Sequence, residues 1–204
     1  MKSTSYDFSP PRIIGALGDE NLDPAFATEF ERFLTRRGHN AACLPFRVTP
    51  RYLKNVVACM RLMDVAGLVV HAAHARRIVT HLAKMEQEAV ELGFVDTVVR
   101  RGKDFVGMNA WHRALNGLAK KKRGAVIVAG RGREAAAAMR ALEAHAPRRI
   151  AALTATTART LPRNAVVFDF TSKPKRASVK KIVTPSAIAQ EAQLITANLL
   201  FSNA

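Results

Sequence analysis

The stretch Gly124-Ala-Val-Ile-Val-Ala-Gly130-Arg-Gly132-Arg-Glu-Ala135 constrains the fold more than any other part of the chain. Val126, Ile127 and Val128 lie among small apolar residues, the composition of a strand buried on both faces of a parallel sheet. A G-x-G turn follows, and Glu134 to Glu143 is built from strong helix formers. Strand, glycine turn and helix are the context in which G-x-G-x-x-A carries meaning. Gly130 suits a tight turn. Gly132 lets backbone approach a pyrophosphate at the helix N-terminus, where free N–H groups and the macrodipole favour an anion. Ala135 lets the helix pack close to the strand. The pattern predicts a dinucleotide site at Gly130, Arg131, Gly132 and Arg133; a plain βα unit with a glycine turn is the alternative.

The same alternation runs along the rest of the chain. Strands are predicted at 12–18, 40–48, 67–73, 93–99, 149–153 and 165–170, with a hairpin-like pair around Arg100–Lys103. Pro24 to Gly38 reads as a helix with Phe26, Phe30, Phe33 and Leu34 on one face. Thr49-Pro50 opens another, with Thr49 as N-cap and Leu53, Val56, Val57, Met60 and Met63 as its apolar side. Further helices are expected through Ile78, Leu82 and Met85, over 86–92, over 109–118 and over 186–200. Strands alternating with helices imply an α/β class with largely parallel sheets. The run Lys120-Lys-Lys-Arg-Gly124 breaks the hydrophobic pattern and marks an expected boundary. A substrate-binding domain at 1–119 would precede a nucleotide-binding domain at 120–185, with helix 186–204 packing back on the first.

Charge is unevenly spread. Residues 115–182 hold 16 Lys/Arg and three acids, a net of +13 out of a total of +16. This suits a phosphorylated cofactor, nucleic acid or an acidic partner, or else a solvated basic surface. There is little aromatic interleaving and no helix-turn-helix or zinc module, which disfavours nucleic acid. Cys43 and Cys59 sit in apolar surroundings without metal-ligand spacing, and no metal is expected. The start of the chain lacks an apolar signal core and no run is long enough to cross a bilayer, so the expectation is a soluble cytoplasmic protein without a membrane partner.

Five segments fall in order: Ile14-Gly15 through Asp23-Pro24, Val69 to Ala75, Ala89 to Thr97, Gly107 to Trp111, and the turn at Gly130. In order and spacing over about residues 12–135 they resemble the shikimate dehydrogenase family. Its landmarks are I-G-x-P-x-x-H-S-x-S-P, N-V-T-x-P-[HF]-K, A-x-x-x-G-A-V-N-T, G-D-N-T-D and the glycine fingerprint. The resemblance implies an N-terminal substrate domain and a Rossmann-like NADP-binding domain, here divergent and shortened. It also implies an NADP(H)-dependent oxidoreductase of aromatic amino acid biosynthesis, acting on shikimate/3-dehydroshikimate or a related hydroxy acid. A small-molecule acid is the expected ligand, and a homodimer is left open.

The family's chemistry is altered residue by residue. Its proton-handling lysine and aspartate stand at Ala75 and Met108, and neither can exchange a proton. The serines that hold the substrate carboxylate stand at Asn21 and Asp23, and the asparagine of the N-T pair is Asp96, while Thr97 and Asn109 remain. His71 and His74 are candidate replacements in acid–base work, and Arg76 is a candidate carboxylate or phosphate ligand. Gln190 matches a family glutamine that reaches substrate. With the lysine and aspartate gone, the alternative is an inactive relative that senses a small acid or nucleotide, or binds a partner; a basic nucleic-acid binder is the third reading.

Overall fold

The computed structural model describes residues 10–120, 125–130, 133–143, 150–152, 166–170, 182–183 and 185–201. The chain divides into two units. One comprises Met1–Ala89, Gly93–Met108 and Leu199–Ala204; the other comprises Val90–Leu92 and Asn109–Asn198.

In the first unit, β1 (Arg12–Gly18) pairs in parallel with β2 (Ala41–Arg47) on one side and β3 (Gly67–Val70) on the other. The sheet continues through the antiparallel hairpin β5 (Thr97–Arg101) and β6 (Asp104–Met108) to β4 (Lys84–Met85), in the order β2-β1-β3-β5-β6-β4. The hairpin follows from Gly102, whose φ of +61° permits the two-residue turn. Strand β2 forms the sheet's outer edge and carries Pro45 there.

Helix α1 (Pro24–Thr35) begins where Asp23 accepts the Ala25 N–H and proline occupies the first turn. Phe30 and Leu34 point into the core. A short 3-10 turn, Pro50–Tyr52, precedes α2 (Leu53–Leu62), and Thr49 makes no capping bond, contrary to its expected role. Leu53, Val57 and Met60 are buried, whereas Met63 is exposed. Strand β3 stops at Val70 because α3 (Ala72–Ala75) starts directly after it.

The helix expected through Ile78, Leu82 and Met85 does not form. Ile78–His81 is a 3-10 turn, and Lys84–Met85 joins the sheet beside β6. The β-branched run Ile78-Val79-Thr80 is stiff, and the Thr80 hydroxyl donates to the Arg77 carbonyl, diverting the backbone from a regular helix. Helix α4 (Gln87–Leu92) follows. Leu17, Leu53, Met60, Leu68, Ile78 and Val98 fill the core.

The second unit is a parallel sheet in the order β10-β9-β7-β8, from β7 (Val126–Ala129), β8 (Ile150–Ala152), β9 (Val166–Asp169) and β10 (Ile182–Val183). Its helices are α5 (Ala110–Lys120), α6 (Arg133–Glu143) and α7 (Pro185–Phe201), the last residues of α7 counting with the first unit. Helix α5 belongs here and not before a 119/120 boundary, because Ala114 and Leu115 share a core with Val126, Ala138 and Phe168. Ala135 is buried in that same core, as its place behind the glycine turn requires. The basic segment Ser172–Lys181 and the Lys121–Gly124 run lie outside the described residues. Among the described residues no helix is long and apolar enough to cross a membrane.

Leu68 is fully buried on the central strand of the first sheet. Leu68→Ala is expected to lower stability by about 2–5 kcal/mol in urea denaturation. Leu62→Ala, at a residue 87% exposed, should stay within about 0.5 kcal/mol of the parent.

Candidate functional site

In the first unit, the ends of β1, β3 and β6 and the start of β5 meet at one edge of the sheet. The His71 N–H donates to the Leu17 carbonyl at 2.8 Å, the Val70 N–H to the Asp96 carbonyl at 2.8 Å, and the Asp96 N–H to the Met108 carbonyl at 3.2 Å. The chain leaves β1 for β2 on one side and returns to β3 on the other. This edge is therefore a topological switch point, where open α/β sheets place ligands.

The candidate residues on this edge differ in availability. His71 is exposed at the N-cap position of α3, and its side chain makes no capping bond. Asp96 is half-buried and accepts the Thr97 hydroxyl at 2.9 Å. Asn21 is exposed in a turn where its N–H donates to the Asp19 carboxylate. Asp23 is exposed but occupied as the cap of α1. Arg76 is exposed with its guanidinium over the Phe94 ring at 5.8 Å, a cation–π contact that leaves the fork open to an anion. Ala75 and Met108 are both buried and apolar.

His74 is different from His71. It is 0% exposed, and its Nε2 lies 2.7 Å from the Val48 carbonyl oxygen. A carbonyl only accepts, so Nε2 donates; Nδ1 is buried without a hydrogen-bond partner among the described residues. The bond ties α3 to the residue after β2. It leaves His71 as the solvent-facing histidine of the pair.

In the second unit Gly130, the first glycine of the expected turn, directly follows β7. Gly130 has φ +123°, and a Cβ there would lie 2.9 Å from the Phe170 Cβ and 3.0 Å from its backbone carbon. Both conformation and space therefore demand glycine. The Phe170 N–H donates to the Ala129 carbonyl at 2.8 Å, which holds the end of β9 against the turn. The chain leaves β7 for β8 on one side and returns to β9 on the other, so this is also a switch point. Helix α6 opens at Arg133; Arg131 and Gly132 lie outside the described residues.

Asp169, not singled out in the sequence, is 5% exposed and stands opposite Ala129 in the sheet register, next to Gly130. Its signal was the single acid ending an otherwise apolar run, Ala165 to Phe168. Asn109 is buried at the start of α5, where its side-chain oxygen accepts the His112 N–H at 2.8 Å. Gln190 is exposed on α7. Among the described residues no three His, Cys, Asp or Glu side chains converge to hold a metal ion.

Because Asp23 caps α1, Asp23→Ala should lower stability by about 0.5–2 kcal/mol in chemical denaturation, and Asp23→Asn should restore most of it.

No family model matches the chain. The curated relatives that match in sequence are shikimate dehydrogenases. The NADP(+) enzyme of Thermosynechococcus vestitus is 32% identical over 101 residues, 48% of this chain and 34% of that protein. The chain thus spans about a third of the length of the curated relatives it matches. Among solved structures, a shikimate dehydrogenase in complex with NADP+ aligns with a TM-score of 0.68 at 14% identity, covering 94% of this chain and 90% of that one. The 5-ketofructose reductase of Gluconobacter sp. strain CHM43 aligns with a TM-score of 0.73 at 14% identity, covering 94% and 93%. These likenesses give a fold of a mostly parallel α/β kind with a Rossmann-like domain. By sequence over about half its length the chain is similar to shikimate dehydrogenases, and over nearly all of it its fold is similar to theirs.

Proposed function

We propose that the chain is an NADP(H)-dependent oxidoreductase that interconverts a hydroxyl and a ketone on a small carboxylic acid of the shikimate/3-dehydroshikimate kind. One observation carries this reading: the Gly130 turn at the switch point of the second unit, where only a missing Cβ leaves room beside Phe170. The residues there fit a dinucleotide. Gly130 and the N-terminus of α6 would hold the pyrophosphate, and Arg131 and Arg133 would meet phosphate charge. When bound, the cofactor supplies or takes up hydride.

The remaining chemistry falls to this chain's own residues. Reduction of a ketone needs one proton at the carbonyl oxygen, and oxidation releases the same proton. With Ala75 and Met108 inert, the exposed imidazole of His71 is the group that hands over or takes up that proton. Arg76 takes the substrate carboxylate in its fork, and Asn21 and Asp96 offer hydrogen bonds to hydroxyls. His74 keeps the short helix α3 in place.

Saturating NADP should raise the melting temperature, at roughly 2.7 kcal/mol for a concentration 100 times Kd, and Gly130→Val should abolish that rise. NADPH should be consumed with 3-dehydroshikimate, and His71→Ala should lower kcat by about 10²–10⁴-fold while Arg76→Ala raises KM. Absence of any NADP-dependent rise in the parent protein would defeat the reading. The buried, apolar Ala75 and Met108 favour a second reading, a small-acid or nucleotide sensor on the same scaffold. It predicts the NADP-dependent rise without NADPH consumption.

A further inference from the structure

A cavity lies in the first unit, between the outer edge of its sheet and α2, and its lining meets the switch-point edge at Val48, whose backbone bonds Gly18 and His74. It is open to solvent and has a volume of about 610 Å³, within the range of small-ligand sites. Phe46 and Val48 of the sheet edge, with Tyr52, Val56 and Met63 of the helical side, give it apolar walls. Tyr52 and Met63 are about half exposed, an apolar surface left open to water. Arg47, Thr49 and Asn55 are its polar lining.

The segment that supplies its lining is basic. Residues 32–63 contain no Asp or Glu and seven Lys/Arg. Arg47 is steadied by a bond from its Nη2 to the Leu22 carbonyl at 3.2 Å, and the Arg51 guanidinium sits 4.7 Å over the Tyr52 ring. A second copy of this chain would bring the same cations to the same place and be repelled. A polyanion would leave the apolar walls unsatisfied. An apolar body carrying one negative charge satisfies both features.

We propose that this cavity binds a small amphiphilic carboxylate, an aromatic or branched hydrocarbon body with a single anionic head. The body lies against Phe46, Val56 and Met63, and the head answers Arg47 with Thr49 and Asn55.

Cys59 also lines the cavity and is exposed, which provides a reporter. Cys43, the other cysteine, is buried, and burial together with the neighbouring Glu31 pushes its thiol up to about 12, so it stays unlabelled at pH 8. The full-length protein is incubated with 2-naphthoate or with its neutral counterpart 2-naphthylmethanol, and alkylation of Cys59 by iodoacetamide is followed by mass spectrometry. Saturable protection by 2-naphthoate of at least fivefold is expected, with the alcohol at least tenfold weaker. Asn55 is exposed, so Asn55→Glu should leave the unliganded melting temperature unchanged and weaken 2-naphthoate at least tenfold; Asn55→Gln should retain binding. The proposal is overturned if 2-naphthoate gives no saturable protection, or if the alcohol protects equally. It is equally overturned if Asn55→Glu binds as the parent does, or if protection without ligand grows with protein concentration, which would assign the cavity to self-association.

Discussion

The hydrogen bond between the buried His74 imidazole and the Val48 carbonyl organises the edge on which the first unit's candidate residues stand. The Val48 N–H donates to Gly18 at the end of β1, and its carbonyl takes the proton of His74. The His71 N–H, three residues earlier, donates to Leu17. The ends of three parallel strands are thereby fixed to one four-residue helix, too short to hold itself together. A carbonyl buried without that partner would carry a desolvation penalty of about 1–3 kcal/mol. The bond also explains why a histidine, and not an apolar residue, occupies a fully buried position.

Local physics made much of this legible in the sequence. The strand, glycine turn and helix around Gly130 could be read because each piece states its own preference: β-branched residues, a positive-φ glycine, an alanine-rich helix. The hairpin at Gly102 and the buried faces at Phe30, Leu34, Leu53 and Met60 follow from periodicity in the same way. What failed depended on distant partners. Lys84 and Met85 are strand because Val106 and Gly107 lie beside them, more than twenty residues away. Helical spacing alone cannot show that.

The site was less legible than the fold. His71 and His74 look equivalent in sequence, three residues apart beside the same arginines. Only the packing of α3 separates the exposed ring from the buried one. Asp169 passed as the end of a core strand, because its proximity to the glycine turn comes from the register of β9 on β7. Asp23 was read as a substrate ligand when its carboxylate already satisfies a helix terminus. The scaffold shared with shikimate dehydrogenases is thus clearer in this chain than the chemistry it supports, as expected when one fold carries sites of differing composition.

Strand β2 ends its sheet with no further strand on its outer flank, the arrangement most prone to recruit a strand from another molecule. Pro45 lacks the N–H that an added strand would need, and the exposed charge of Arg47 beside it discourages close approach. The same two residues that shape this margin therefore guard against intermolecular zippering, and replacing both with threonine or valine would turn the margin into a seed for aggregates.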